Sequence, residues 1–135
     1  MVEMSAEYTG QLSCTVQHGP SGCEITTDAP KDNQGLGRSF SPTDLLGAAL
    51  GSCILTIMGI YAQRHTIDLT GAKARIGKEA VADPVRRVGK LTIQITLPAS
   101  VPIEHRDAIE RAGRTCPVSQ SLHPNTLQVI TIDYA

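Results

Sequence analysis

Apolar and polar positions alternate over residues 5 to 17, with Leu12, Cys14 and Val16 on one face, the period of a half-buried strand. "HGPSG" then turns the chain, and a second strand follows near Gly22 to Thr27. A two-residue turn at His18 and Gly19 would set Cys14 opposite Cys23 on the apolar face, within reach of a bridge; reduced core thiols are the expectation. "DAPKDNQGLGRSF" is rich in turn formers and reads as a loop or a loosely held connection.

The pattern then changes period. Ser41 fits an N-cap, Pro42 the first helical position and Asp44 the third, a capping box that opens a long helix running to about His65. From Leu45 to Ala62 this helix carries no charge and approaches the length of a membrane span. Gly47, Gly51, Ser52, Thr56 and Gly59 dilute its hydrophobicity, so a central helix packed on several sides is expected instead of a span.

Residues 69 to 81 and 85 to 97 predict two strands around the turn "ADPVRR", and "KLTIQITL" alternates cleanly. "PIEHRDAIERAG" predicts a charged amphipathic helix with Ile109, Ala112 and the following Cys116 on one side, and "TLQVITIDY" a closing strand. Pro117 favours a fresh helix start, which puts Cys116 at an N-cap, with Arg111 and Arg114 near it in sequence. The order β-β-α-β-β-α-β predicts an α+β fold with an antiparallel sheet.

Composition narrows the function. The 135 residues suit a single domain, 1–135, and 12 basic against 13 acidic residues give a net charge of −1 without blocks of like charge. Neither nucleic acid nor an anionic membrane is an obvious partner. The N-terminus shows no basic stretch followed by an apolar one, so a cytoplasmic location is expected. Four cysteines without a Cys-x-x-Cys pair suggest neither a dense disulfide framework nor a zinc site.

Chemistry concentrates on Cys53 and Cys116. A helix N-terminus stabilises a thiolate, which favours Cys116, whereas Cys53 lies mid-helix and needs a cation from elsewhere. That cation matters, because a free thiol of pKa about 8.5 is only about 3% thiolate at pH 7. His18, His65 and His105 are assigned to a turn, a helix end and a polar helix face, and His123 follows the Cys116 helix without being assigned to the site.

"SPTDLLGAALGSC" (41 to 53), "CPVSQSL" (116 to 122) and the closing "ITIDY" resemble the OsmC/Ohr family, the osmotically inducible and organic hydroperoxide resistance proteins, in its OsmC-like branch. The resemblance implies an intertwined homodimer with two layers of sheet around paired central helices and active sites at the subunit interface. It implies a thiol-dependent peroxidase without a cofactor, in which Cys53 is the peroxidatic cysteine and Cys116 the resolving one. Organic hydroperoxide is the implied substrate, and an external thiol or lipoyl-type reductant resets the enzyme.

In this family an arginine held by a glutamate stabilises the thiolate and the leaving oxygen. Arg38 is the candidate arginine, as no other precedes it. The glutamate is expected about where Thr43 stands, and the nearest acid, Asp44, is the candidate to hold Arg38 although it lies about 180° around the helix from Cys53. That departure keeps open an alternative, a non-enzymatic redox or small-molecule-binding dimer on the same fold, with a purely structural dimer third.

Overall fold

The computed structural model describes residues Met1–Ala135, which form two compact units, Met1–Leu46 and Gly47–Ala135. The first holds a three-stranded antiparallel sheet, β1 (Met4–Gly10), β2 (Ser13–His18) and β3 (Glu24–Asp28), in that order. One strand was expected where β1 and β2 lie. The chain reverses between them because Gly10 takes a positive φ of 91° and Gln11 and Leu12 follow at 55° and 59°. Gly10 alone among these residues enters that region without strain, so it was the single local signal.

The turn from β2 to β3 is also longer than expected. Gly22 N–H donates to the His18 carbonyl and His18 N–H to the Cys23 carbonyl, so Gln17 pairs with Glu24 and Cys14 with Thr27. Cys14 and Cys23 are therefore not opposite each other. Both thiols are free, and Cys23 is exposed instead of lying on an apolar face.

The connection that follows is tied down by its backbone. After a single 3-10 turn at Lys31–Asn33, Gly35 N–H donates to the Pro30 carbonyl and Gly37 N–H to the Ala29 carbonyl. Asp28 N–H in turn donates to the Phe40 carbonyl. The expectation of a loose loop is corrected by these bonds.

Helix α1 (Pro42–Arg64) starts as expected, with Asp44 N–H on Ser41 Oγ at 3.1 Å and Ser41 N–H on Asp44 Oδ2 at 2.8 Å. Its C-terminus closes with Thr66 in the left-handed region and Ile67 N–H on the Ala62 carbonyl, the six-to-one bond that satisfies a carbonyl left open at a helix end.

The second unit holds β4 (Lys73–Val81), β5 (Arg87–Leu97) and β6 (Leu127–Tyr134), again in that order. β4 and β5 pair antiparallel, with Ile76 opposite Ile93. β6 departs from the expected antiparallel sheet by running parallel to β5, with Ile130 opposite Ile93. The reason is the connection: α2 (Ile103–Arg114) and α3 (Pro117–Ser121) form a helical crossover that returns the chain to the same end of the sheet.

Leu91, Ile93, Ile95 and Leu97 of β5 are fully buried, as are Leu50, Ile54 and Met58 of α1 and Ile109 of α2. Close approach makes this core possible. A Cβ on Gly51 would stand 2.9 Å from Ile76 Cγ1, and one on Gly113 would stand 3.0 Å from Met58 Cγ. The expected burial of α1 on every side is not met within one chain. Gly47, Leu50, Gly51, Ile54, Met58 and Ala62 form a single buried stripe, whereas Ala49, Ser52, Thr56, Ile60 and Gln63 are exposed.

Replacing Leu50 with alanine removes fully buried methyl groups from this core and is expected to lower unfolding free energy by about 2–5 kcal/mol. Denaturant titration of Leu50→Ala and of Ala49→Ser, on the exposed face, checks this: the first midpoint should fall clearly and the second should stay close to wild type.

Candidate active site

Cys53 sits on α1 one residue before the buried Ile54 and is half-buried; Cys116 is fully buried. Cys116 caps α3, as the Pro117 pattern predicted, and its Sγ accepts a hydrogen bond from Ser119 N–H at 3.4 Å. Cys53 lies near enough to Cys116 to influence its ionisation, and both are free thiols. Packing of α1 against the sheet and of α2 against α1 thus unites the two cysteines that the sequence singled out.

The electrostatics of Cys116 differ from expectation. A helix N-terminus should favour its thiolate, and the N–H groups of Ser119 and Val118 do lower its pKa, but burial acts more strongly and pushes the thiol up. Cys53 adds to the rise through a hydrogen bond and through charge. Two thiolates side by side would repel, so a charge on Cys53 disfavours loss of the Cys116 proton. Arg114 does not offset this, because its Nη1 donates to the Ile130 carbonyl at 3.0 Å.

Arg38 lies in the other compact unit, and its partner there is Asp28, not Asp44. Its backbone N–H and Nε donate to Asp28 Oδ2 at 2.7 and 3.0 Å, and Nη2 donates to Asp28 Oδ1 and to Ser13 Oγ, both at 3.1 Å. Ser13 Oγ also donates to Asp28 Oδ1. The Asp28 side chain is 0% exposed and that of Arg38 59% exposed, so a buried carboxylate is neutralised by a partly exposed arginine. These bonds, led by the one to the Arg38 side chain, hold the Asp28 carboxyl well below the usual carboxylate range. The carboxylate of Asp44 accepts from Ser41 N–H in the capping box, and Thr43 Oγ1 lies 3.2 Å from Ser41 Oγ.

Other side chains fall outside the pair. His123 is exposed, and its Nδ1 accepts from Asn125 N–H. Tyr61 OH bonds His105 Nδ1 at 2.7 Å, and the His65 ring lies 4.2 Å from that of Tyr61, a cluster that only the four-residue spacing of Tyr61 and His65 could have suggested. No group of three His, Cys, Asp or Glu side chains converges on a metal-sized site.

Comparison with known proteins places this geometry. Residues 33–130 match the family model described as OsmC-like protein. The chain is 42% identical to a solved protein of Psychrobacter arcticus 273-4, described as an osmotic stress induced and detoxification response protein, over 98% of this chain and 96% of that one, with a TM-score of 0.91. The chain belongs to the OsmC-like family. An organic hydroperoxide resistance protein OsmC of Legionella pneumophila (14% identical, 98% and 96% covered, TM-score 0.74) shares the OsmC-like fold. So does an organic hydroperoxide resistance protein of Elizabethkingia anophelis (20%, 100% and 96%, 0.74). A search of curated proteins finds no match. The OsmC-like match includes Arg38, Asp44, Cys53 and Cys116 but begins after Ser13 and Asp28, the two residues that fix Arg38.

The Asp28 pKa predicts a pH dependence. A carboxyl lowered by folding stabilises the native state fully above its unfolded value of about 3.9 and loses that contribution as pH falls below it. Wild type should therefore lose stability on acidification below about pH 4, and Asp28→Asn should flatten that part of the profile. Unfolding midpoints measured across the acidic range check both.

Proposed function

We propose that this OsmC-like protein is a thiol-dependent peroxidase that reduces organic hydroperoxides to alcohols. The observation that carries the reading is the nearness of half-buried Cys53 to buried Cys116, two free thiols on different elements, one raising the pKa of the other. In the proposed cycle the Cys53 thiolate attacks one peroxide oxygen, the O–O bond breaks, and the alkoxide leaves and takes a proton to become the alcohol. Cys53 is left as a sulfenic acid. The Cys116 sulfur then gives up its proton and attacks the Cys53 sulfur; the S–S bond forms, the S–O bond breaks, and the hydroxide leaves as water. A dithiol or lipoyl-type reductant supplies two electrons to restore both thiols.

Arg38 enters as the thiolate-stabilising cation through the family resemblance, and the proposal assigns it no geometry relative to Cys53. Its engagement with Asp28 favours the second reading, a non-enzymatic redox or small-molecule-binding dimer, because a guanidinium shared with a carboxylate offers less charge to a thiolate. The oligomer in either reading is a homodimer, acting in the cytoplasm. Its support is the exposed face of α1, which leaves Ile60 uncovered and carries no charge between Leu45 and Ala62.

Two measurements test this. With a bulky hydroperoxide and dihydrolipoamide, wild type should turn over, Cys53→Ser should not, and Cys116→Ser should undergo one oxidation and leave a trappable sulfenic acid; equal activity in all three would overturn the peroxidase. In sedimentation, wild type should be a dimer and Ile60→Asp should shift it toward monomer. A monomeric wild type would remove the dimer.

A further inference from the structure

α3 is five residues long and begins with Pro117, too short to hold its own shape in water. Local bonds include Gln120 N–H to the carbonyl of the capping Cys116 and Ser121 Oγ to the Pro117 carbonyl. Both of its hydrogen bonds to distant residues go to one side chain, Gln128 of β6. Ser119 Oγ donates to Gln128 Oε1 at 2.6 Å, and Gln128 Nε2 donates to the Ser119 carbonyl at 3.1 Å. The two bonds run in opposite senses, so the amide fits in one orientation and clamps the residue between side chain and main chain. The N–H of that same residue points at Cys116 Sγ.

We infer that Gln128 is a positioning residue for disulfide closure: by clamping Ser119 it holds the Cys116 sulfur in line with Cys53 and keeps an N–H on it while its proton leaves. The inference rests on the thiol chemistry proposed for this pair. Closure is sensitive to such a hold, because a disulfide requires Cβ atoms about 3.8 Å apart and a narrow range of dihedral angles. The attack on peroxide does not require it, because that step takes place on Cys53 before Cys116 reacts. Gln128 therefore acts on the second step and not on the first.

The experiment compares wild type, Gln128→Leu, Gln128→Glu and Ser119→Ala, all with Cys14 and Cys23 changed to serine. After mixing with tert-butyl hydroperoxide, Cys53 oxidation is read by loss of its alkylation and closure by the appearance of the linked Cys53–Cys116 peptide. Gln128→Leu should leave the first rate within about twofold and slow the second about tenfold or more, with sulfenic acid accumulating. Gln128→Glu, which still accepts from Ser119 Oγ, and Ser119→Ala, which retains the carbonyl bond, should fall between. Equal closure rates in wild type and Gln128→Leu would overturn the inference and leave the peroxidase reading intact.

A second arm needs no peroxide. With Cys53 also changed to serine, its influence on the Cys116 thiol is removed. The pH midpoint of Cys116 alkylation should then rise in Gln128→Leu, because the Ser119 N–H no longer supports the thiolate. An unchanged midpoint would overturn the inference even if wild type fails to react with hydroperoxide, an outcome that would sink the peroxidase reading separately. Ser119→Ala carries the same test if Gln128→Leu does not fold.

Discussion

Close packing of side chains onto two glycines of the second unit sets where α1 and α2 lie. Gly51 leaves no Cβ between α1 and Ile76, and Gly113 leaves none between α2 and Met58. With those helices drawn in, half-buried Cys53 lies near the buried cysteine at the head of α3. A larger residue at either glycine would have to push aside a packed side chain, and Met58 is fully buried. Helix packing thus supplies the nearness that a two-cysteine reaction needs, with no loop required to carry one thiol to the other.

Polar groups are handled differently in the two units. In the second, burial of Cys116 outweighs the N–H groups at the start of α3, which is consistent with the resolving role proposed for that thiol. In the first, the largest fully buried side chain is that of Asp28, and Tyr8, Ile25 and Phe40 lie exposed. That unit is organised around a carboxylate, a serine and an arginine joined by directional bonds, and apolar contact contributes little to it within one chain.

The elements most legible in the sequence were those with strong periodic or capping signals. Ser41, Pro42 and Asp44 marked the start of α1, and alternation in "KLTIQITL" marked the buried face of β5, because each arises from contacts within a few residues or from one face of one strand. Cys116 at an N-cap followed from Pro117 in the same way. The reversal after β1 escaped because Gln11 and Leu12 are poor turn formers forced into positive φ behind a lone glycine. Strand direction in β6 depended on the crossover, which no local pattern encodes. Asp28 and Gln128 were missed for a shared reason: each acts through a partner at least nine positions away, and neither belongs to a recognisable motif. Capping already engages Asp44, and a carboxylate buried on β3 was free of that duty, so Arg38 is held by Asp28.

The account turns on Cys53 and Cys116 acting as one redox pair. Peptide mapping of the protein after one equivalent of an organic hydroperoxide tests it most directly. The account predicts that a Cys53–Cys116 linked peptide forms as the alcohol appears, with Cys14 and Cys23 still open to alkylation. Hydroperoxide left unconsumed with all four thiols intact, or a link made instead through Cys14 or Cys23, would contradict it.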